Sequence, residues 1–131
     1  MNHIHQKDSL VVITRAGSGI GAAAARRYAK MGATVVALDI DEPSALLTAH
    51  ACRIGGGNAH AYACDVADAS AVEEIANRIE EVHGPVDVLV NNAGVSVAGP
   101  FLDGSLDDWT WLRSVNIDGV IHGCRAFGPP W

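Results

Sequence analysis

The chain has 131 residues, is 49% hydrophobic and carries a formal charge of -6. That is the mass of one domain, able to bury roughly two thirds of its unfolded surface. Its Lys and Arg residues are scattered, so it lacks the basic patch that nucleic acid or an anionic membrane surface requires. Residues 1–8 contain no apolar stretch; neither a signal peptide nor a membrane anchor is read there, and a flexible N-terminus and a cytoplasmic location are expected. Residues 9–131 read as a single domain. Cys52, Cys64 and Cys124 each lie in an apolar pattern and predict buried free thiols rather than disulfides. The histidines show no ligand spacing beyond His3 and His5, and no metal site is assigned.

The first predicted strand, Leu10 to Thr14, runs into Arg15, Ala16, Gly17, Ser18, Gly19, Ile20 and Gly21, and a helix follows from Ile20 to Met31. A strand, a glycine turn and a helix make a phosphate-binding unit, because the helix start offers unpaired amides and the favourable end of its dipole. Gly17, Gly19 and Ala22 satisfy the loose dinucleotide spacing, although small residues at a helix start also serve close packing alone. The second strand, Thr34 to Asp39, ends in a carboxylate about 20 residues on, where an acidic side chain accepts hydrogen bonds from an adenosine ribose. The competing reading of Asp39 is a solvated turn residue beside Asp41 and Glu42.

A second helix, Pro43 to Ile54, stops at Gly55, Gly56 and Gly57, which suit a left-handed cap. The third strand is Ala59 to Cys64. Asp68 caps a third helix with Val72, Ile75, Ala76, Ile79 and Val82 on one stripe. Val86 to Asn91 is the fourth strand, and a fourth helix opens on the capping box of Ser105 and Asp108 and continues through Trp109, Leu112 and Val115. Short, uniformly apolar strands separated by helices predict an α/β fold with a parallel sheet covered on both faces.

Taken together, these residues resemble the short-chain dehydrogenase/reductase family over nearly the whole chain. Thr14 to Gly21 is similar to that family's Thr-Gly-x-x-x-Gly-Ile-Gly turn, and Asn91, Asn92, Ala93 and Gly94 to its Asn-Asn-Ala-Gly motif. The resemblance implies a Rossmann-like doubly wound parallel sheet, truncated to about four strands in the order 3-2-1-4 with four helices, so that residues 9–131 form an incomplete NAD-binding domain. It also implies NAD as cofactor, held by Thr14, Gly17, Ser18, Gly19, Ile20 and Gly21, by Asp39 at the ribose, by Ile40, by Asp65 and Val66 at the adenine, and by Asn92, Ala93, Gly94 and Val115. Asn116 is similar to the family's catalytic-site Asn, which helps to hold a water for proton relay. Read alone, Asp65 starts a turn, Asn92 satisfies backbone groups and Asn116 is a poor helix former on a solvated face. The Asp39 carboxylate would repel a 2′-phosphate, which favours NAD over NADP.

Two departures stand against the resemblance. Arg15 replaces the first glycine of the turn, and its side chain and backbone preferences are expected to weaken binding. It would either pair with Asp39 or invite a 2′-phosphate. The family's Ser and Tyr-x-x-x-Lys are also missing: Tyr28 and Tyr62 are followed four residues later by Gly32 and Val66. Ser96 and Ser105 have no base nearby in sequence, and His122 is a lone helical histidine.

The sequence therefore reads as the NAD(H)-binding portion of an oxidoreductase acting on an alcohol or ketone, inactive by itself. Alternatives are a regulatory module associating with a full-length relative, or a degenerate gene product without function. Val95 to Asp103 would supply one wall of a substrate pocket. The fourth strand as an open edge, with Trp109, Trp111, Val120 and Ile121 on the fourth helix, predicts self-association or pairing with a related chain.

Overall fold

The computed structural model describes residues 8–97, 99, 100 and 103–128. All but Asp8 of the expected flexible terminus, part of the Val95 to Asp103 wall, and Pro129 to Trp131 lie outside the described residues. Four parallel strands, β1 (Leu10–Thr14), β2 (Thr34–Asp39), β3 (Asn58–Ala63) and β4 (Val88–Val90), form one sheet in the order β3-β2-β1-β4. Helices α1 (Gly19–Lys30), α2 (Glu42–Ile54) and α3 (Ala69–His83) make the crossovers. After β4 come α4 (Leu106–Arg113), a π-helical turn (Ser114–Asp118) and α5 (Gly119–Phe127).

The alternation of a strand covered on both faces explains why β1 is apolar from Leu10 to Ile13 and β2 from Val35 to Leu38. Val11, Ile13, Val35 and Ala37 point to one face and pack with Ala25 and Ala29 of α1 and Ala45, Ala49 and Cys52 of α2. Leu10, Val12, Val36 and Leu38 point to the other and pack with Val72, Ile75 and Ile79 of α3. Both faces are covered, so no apolar position in the central strands meets water. The Ala-rich faces of α1 and α2 let those helices lie close to the sheet. Register places Leu10 opposite Thr34 and Val11 opposite Val88, which brings the carboxyl ends of all four strands to one side of the molecule.

The capping signals are realised. Asp68 accepts a hydrogen bond from the Ala71 amide at 3.1 Å. Ser105 accepts from the Asp108 amide at 3.0 Å while Asp108 accepts from that of Ser105 at 3.4 Å. Gly56, at φ +90°, ends α2 as expected.

Four expectations are corrected. The fourth strand is Val88–Val90 rather than Val86 to Asn91, because the Asn92 amide turns back onto the Val90 carbonyl at 3.0 Å and leaves the ladder. The fourth helix is interrupted at Ser114–Asp118 instead of running through. Val82 falls off the buried stripe and is 62% exposed. Cys124 is exposed, whereas Cys52 and Cys64 are buried. No helix among the described residues is long and apolar enough to cross a membrane.

Candidate functional site

In the order β3-β2-β1-β4 the direction of winding reverses between β1 and β4. The connections after the strands diverge there and leave a crevice outside the carboxyl ends, the place where open α/β sheets hold ligands. Thr14 closes its floor. Its Oγ1 accepts hydrogen bonds from the amides of Asn92 and Ala93, both at 2.9 Å, and donates to the Val90 carbonyl at 3.4 Å. One hydroxyl thus joins the end of β1 to the loop after β4.

The three glycines of the turn are needed for different reasons. A Cβ on Gly17 would come within 2.6 Å of the Ser44 Cβ and 2.7 Å of the Asp39 carboxylate. One on Gly21 would meet the Arg15 carbonyl and the Asn92 side chain, so glycine there allows helix and strand to approach. Gly19 has φ +55° and nothing within 4 Å, so it presents bare backbone to the crevice. Ser18, before α1, makes no side-chain capping hydrogen bond, which leaves the first amides of the helix without a side-chain cap.

Asp39 is 9% exposed and accepts from the Gly17 amide at 2.9 Å and the Asp41 amide at 3.0 Å. Each carboxylate oxygen keeps a further lone pair for a hydroxyl. The expected alternative of an Arg15–Asp39 pair is not what forms: Arg15 Nη1 donates to the Gly94 carbonyl, on the opposite side of the crevice. Arg15 does adopt the left-handed backbone, at φ +49°, that glycine would take without strain.

Asp65 turns the chain after β3, accepting from the Ala67 amide at 3.0 Å, and lines the crevice with Val66. Asn116 lies in the π-helical turn and pairs with Val95 as a neighbouring strand would, accepting from its amide and donating to its carbonyl, both at 2.8 Å. The extra residue in that turn rotates the start of α5, where a Cβ on Gly119 would come within 2.8 Å of Val66 Cγ2. His122 Nδ1 donates to the Val66 carbonyl at 2.8 Å, which makes it a packing group. Burial, with Asp65 and Asp68 adding to it, pushes the Cys64 thiol up to about 11, so it lines the site as a neutral group.

The crevice has two compartments. The first, of about 370 Å³, is bordered by Asp39, Ile40, Asp65, Val66 and Val115. The second, of about 790 Å³, is bordered by Gly19, Ile20, Asn91, Asn92, Asn116 and Val120. Thr14, Gly17 and Gly21 shape the turn beneath them, and Ala93 and Gly94 face both. Sequence reasoning missed Ser44 and Trp111. Ser44 donates to Asp41 at 2.7 Å and lines the first compartment. Trp111 lines both, and its sequence signal was its position four residues before Val115, on the same helical face.

Comparison with known proteins agrees with this geometry. The short chain dehydrogenase family model matches residues 9–131. The chain belongs to the short chain dehydrogenase family. It is 47% identical over 121 residues to the probable oxidoreductase EphD of Mycobacterium tuberculosis, covering 92% of this chain and 20% of that protein. It is 45% identical over 123 residues to meso-2,3-butanediol dehydrogenase of Serratia marcescens, covering 94% of this chain and 48% of that one. The chain therefore spans between a fifth and a half of these relatives.

Among solved structures, a short chain dehydrogenase/reductase from Burkholderia phymatum in complex with NAD superposes with a TM-score of 0.92 at 36% identity, over 97% of this chain and 45% of that one. A metagenomic short-chain oxidoreductase in complex with NADP gives 0.90 at 35% identity, over 95% and 57%.

Proposed function

We propose that these residues bind a nicotinamide dinucleotide, and that they form the cofactor-binding portion of an oxidoreductase acting on an alcohol or ketone. The observation that carries the reading is the conjunction, at one topological switch point, of the uncapped start of α1, the bare Gly19 backbone and the buried Asp39 carboxylate. The amides at Ser18, Gly19 and Ile20 would hold the pyrophosphate. Asp39 would accept the adenosine ribose hydroxyls, and Ile40 and Val66 offer apolar walls to the adenine beside Asp65. Asn92, Ala93, Gly94 and Val115 would flank the path toward the second compartment. NAD is preferred to NADP, because a 2′-phosphate would be brought against the carboxylate of Asp39.

The bound nicotinamide supplies hydride chemistry; the proton must come from a side chain of tuned pKa. These 131 residues hold no Tyr-x-x-x-Lys, and Asn116 spends both polar atoms of its amide on Val95. Asn116 would therefore act by fixing the Val95 backbone at the edge of the site. We expect binding without turnover, in a protein of the cytoplasm, where its free thiols stay reduced.

Fluorescence titration with NADH, followed by addition of simple ketones, tests this. Saturable binding without ketone-dependent loss of NADH is the expected result, and steady turnover by pure protein would refute it. A second reading, association with another copy or a related chain, is favoured by the exposed Ile117 and Ile121, 56% and 50% accessible, and by β4 standing at the edge of the sheet. A strictly monomeric protein by light scattering would count against that second reading.

A further inference from the structure

The two compartments of the crevice meet at a few residues. Arg15, Ser18, Ala93, Gly94, Val95 and Trp111 line both. Across that boundary Arg15 reaches from the end of β1 and donates through Nη1 to the Gly94 carbonyl in the loop after β4. We propose that the Arg15 side chain is a bar across the crevice, so that it accepts an adenine mononucleotide about as readily as the whole dinucleotide. This rests on the nucleotide-binding reading above.

The two sides of the bar offer different half-sites. The first compartment is self-sufficient for an adenosine: it has Asp39 for the ribose and Ile40, Asp65 and Val66 around the base. The second holds the Asn92 and Asn116 groups that the other half of a dinucleotide would meet. A dinucleotide must cross the boundary, and there it competes with the Arg15–Gly94 hydrogen bond. The attraction between its second half and the second compartment is offset by the cost of breaking that tie and of displacing the guanidinium.

Arg15 is one of two non-glycine residues at positive φ among those described, and its side chain reaches Gly94 from the exposed side of the crevice. Among the described residues it is the one Lys or Arg lining either compartment. An alternative role, direct pairing with the pyrophosphate, would have the opposite consequence for binding.

The test is calorimetric titration of AMP and NADH into the chain, its Arg15→Gly variant and its Arg15→Asn variant. Glycine relieves the backbone and removes the guanidinium; asparagine tolerates the left-handed backbone and removes the guanidinium alone. In the unaltered chain the AMP and NADH affinities should lie within about threefold of each other, and both variants should bind NADH at least about tenfold more tightly with AMP changed less than about twofold. Unchanged or weaker NADH binding in both variants, with AMP still bound, overturns the bar and leaves the nucleotide site standing. Tightening in Arg15→Gly alone assigns the effect to backbone strain and likewise overturns it. Failure of all three chains to bind either ligand sinks the nucleotide site and the bar with it.

Discussion

Replacing Thr14 by Val separates the chemistry of its hydroxyl from its shape. The side chain is 2% exposed, and Val is its near isostere with a high strand propensity, so no cavity opens and no strain enters β1. What is lost is the Oγ1 acceptor for the Asn92 and Ala93 amides at 2.9 Å. Asn92 keeps a second acceptor in the Val90 carbonyl at 3.0 Å, whereas the Ala93 amide loses its partner. An orphaned amide costs about 1–3 kcal/mol and a weakened shared one adds a fraction of that, giving roughly 2–3 kcal/mol in all. For a domain of this size that corresponds to a fall of roughly 8–15 °C in Tm. Denaturant unfolding and a thermal scan would measure it, and Thr14→Ser should recover most of the loss because it restores the acceptor. A valine variant within about 0.5 kcal/mol of the unaltered chain would refute the view that this hydroxyl joins the two halves of the crevice floor.

Three further predictions follow from the same geometry. Asp39→Asn keeps one carbonyl oxygen and removes the charge, so NADH affinity should fall by about tenfold and its advantage over NADPH should narrow, read by competition titration; an unchanged preference would remove Asp39 from the ribose site. His60 and His83 stack at a centroid distance of 4.3 Å, and the Tyr62 hydroxyl meets His83 Nε2 at 2.8 Å. Burial lowers both imidazoles from their ordinary 6.5, helped by Arg53 at His60 and by His60 at His83. The unfolded chain then takes up protons first, so stability should be full above about pH 6.5 and decline below it. His83→Gln should flatten that decline in denaturant midpoints, and an unaltered slope would contradict the assignment. A disulfide exchange reagent applied to the native protein should modify Cys124 quickly, Cys64 slowly because its raised thiol pKa keeps it neutral although it lines the crevice, and Cys52, sealed between α2 and the sheet, on the timescale of unfolding. Rapid reaction at all three would show that the helices do not seal the sheet.

The double cover of the sheet could be read from the chain because the apolar runs Leu10–Ile13 and Val35–Leu38 have one physical solution, helices on both faces, whereas the strand order came with the family resemblance. Helix starts were legible where side chains cap them, at Asp68 and Ser105. The interruption at Ser114–Asp118 was not. It depends on Asn116 finding the Val95 backbone, a contact across 21 residues that no local pattern encodes. The exposure of Cys124 escaped for a related reason. Gly123 is the residue of α5 that packs against β4, where a Cβ would come within 2.6 Å of Asn91 Oδ1, and that contact rotates its neighbour outward.

At the site, the glycines were legible as the needs of the strand-to-helix turn and Asp39 by its spacing at the end of β2, while Asn92 was reached only through the family motif. The destination of Arg15 was not. Its sequence position showed that a long cation replaces a glycine, but two partners of opposite consequence were open to it. The structure sends the guanidinium to Gly94 rather than to Asp39, a choice set by how the loop after β4 is drawn against Thr14.

The most direct test of the account is a heteronuclear NMR titration of the isotopically labelled chain with NAD. Saturable shifts of the amides of Gly17 to Gly21, Asp39 to Asp41, Asp65, Val66 and Asn92 to Val95, with the His60 and His83 region unmoved, are the predicted result. No saturable change, or changes centred away from the carboxyl ends of the strands, would contradict the claim that this crevice is a dinucleotide site.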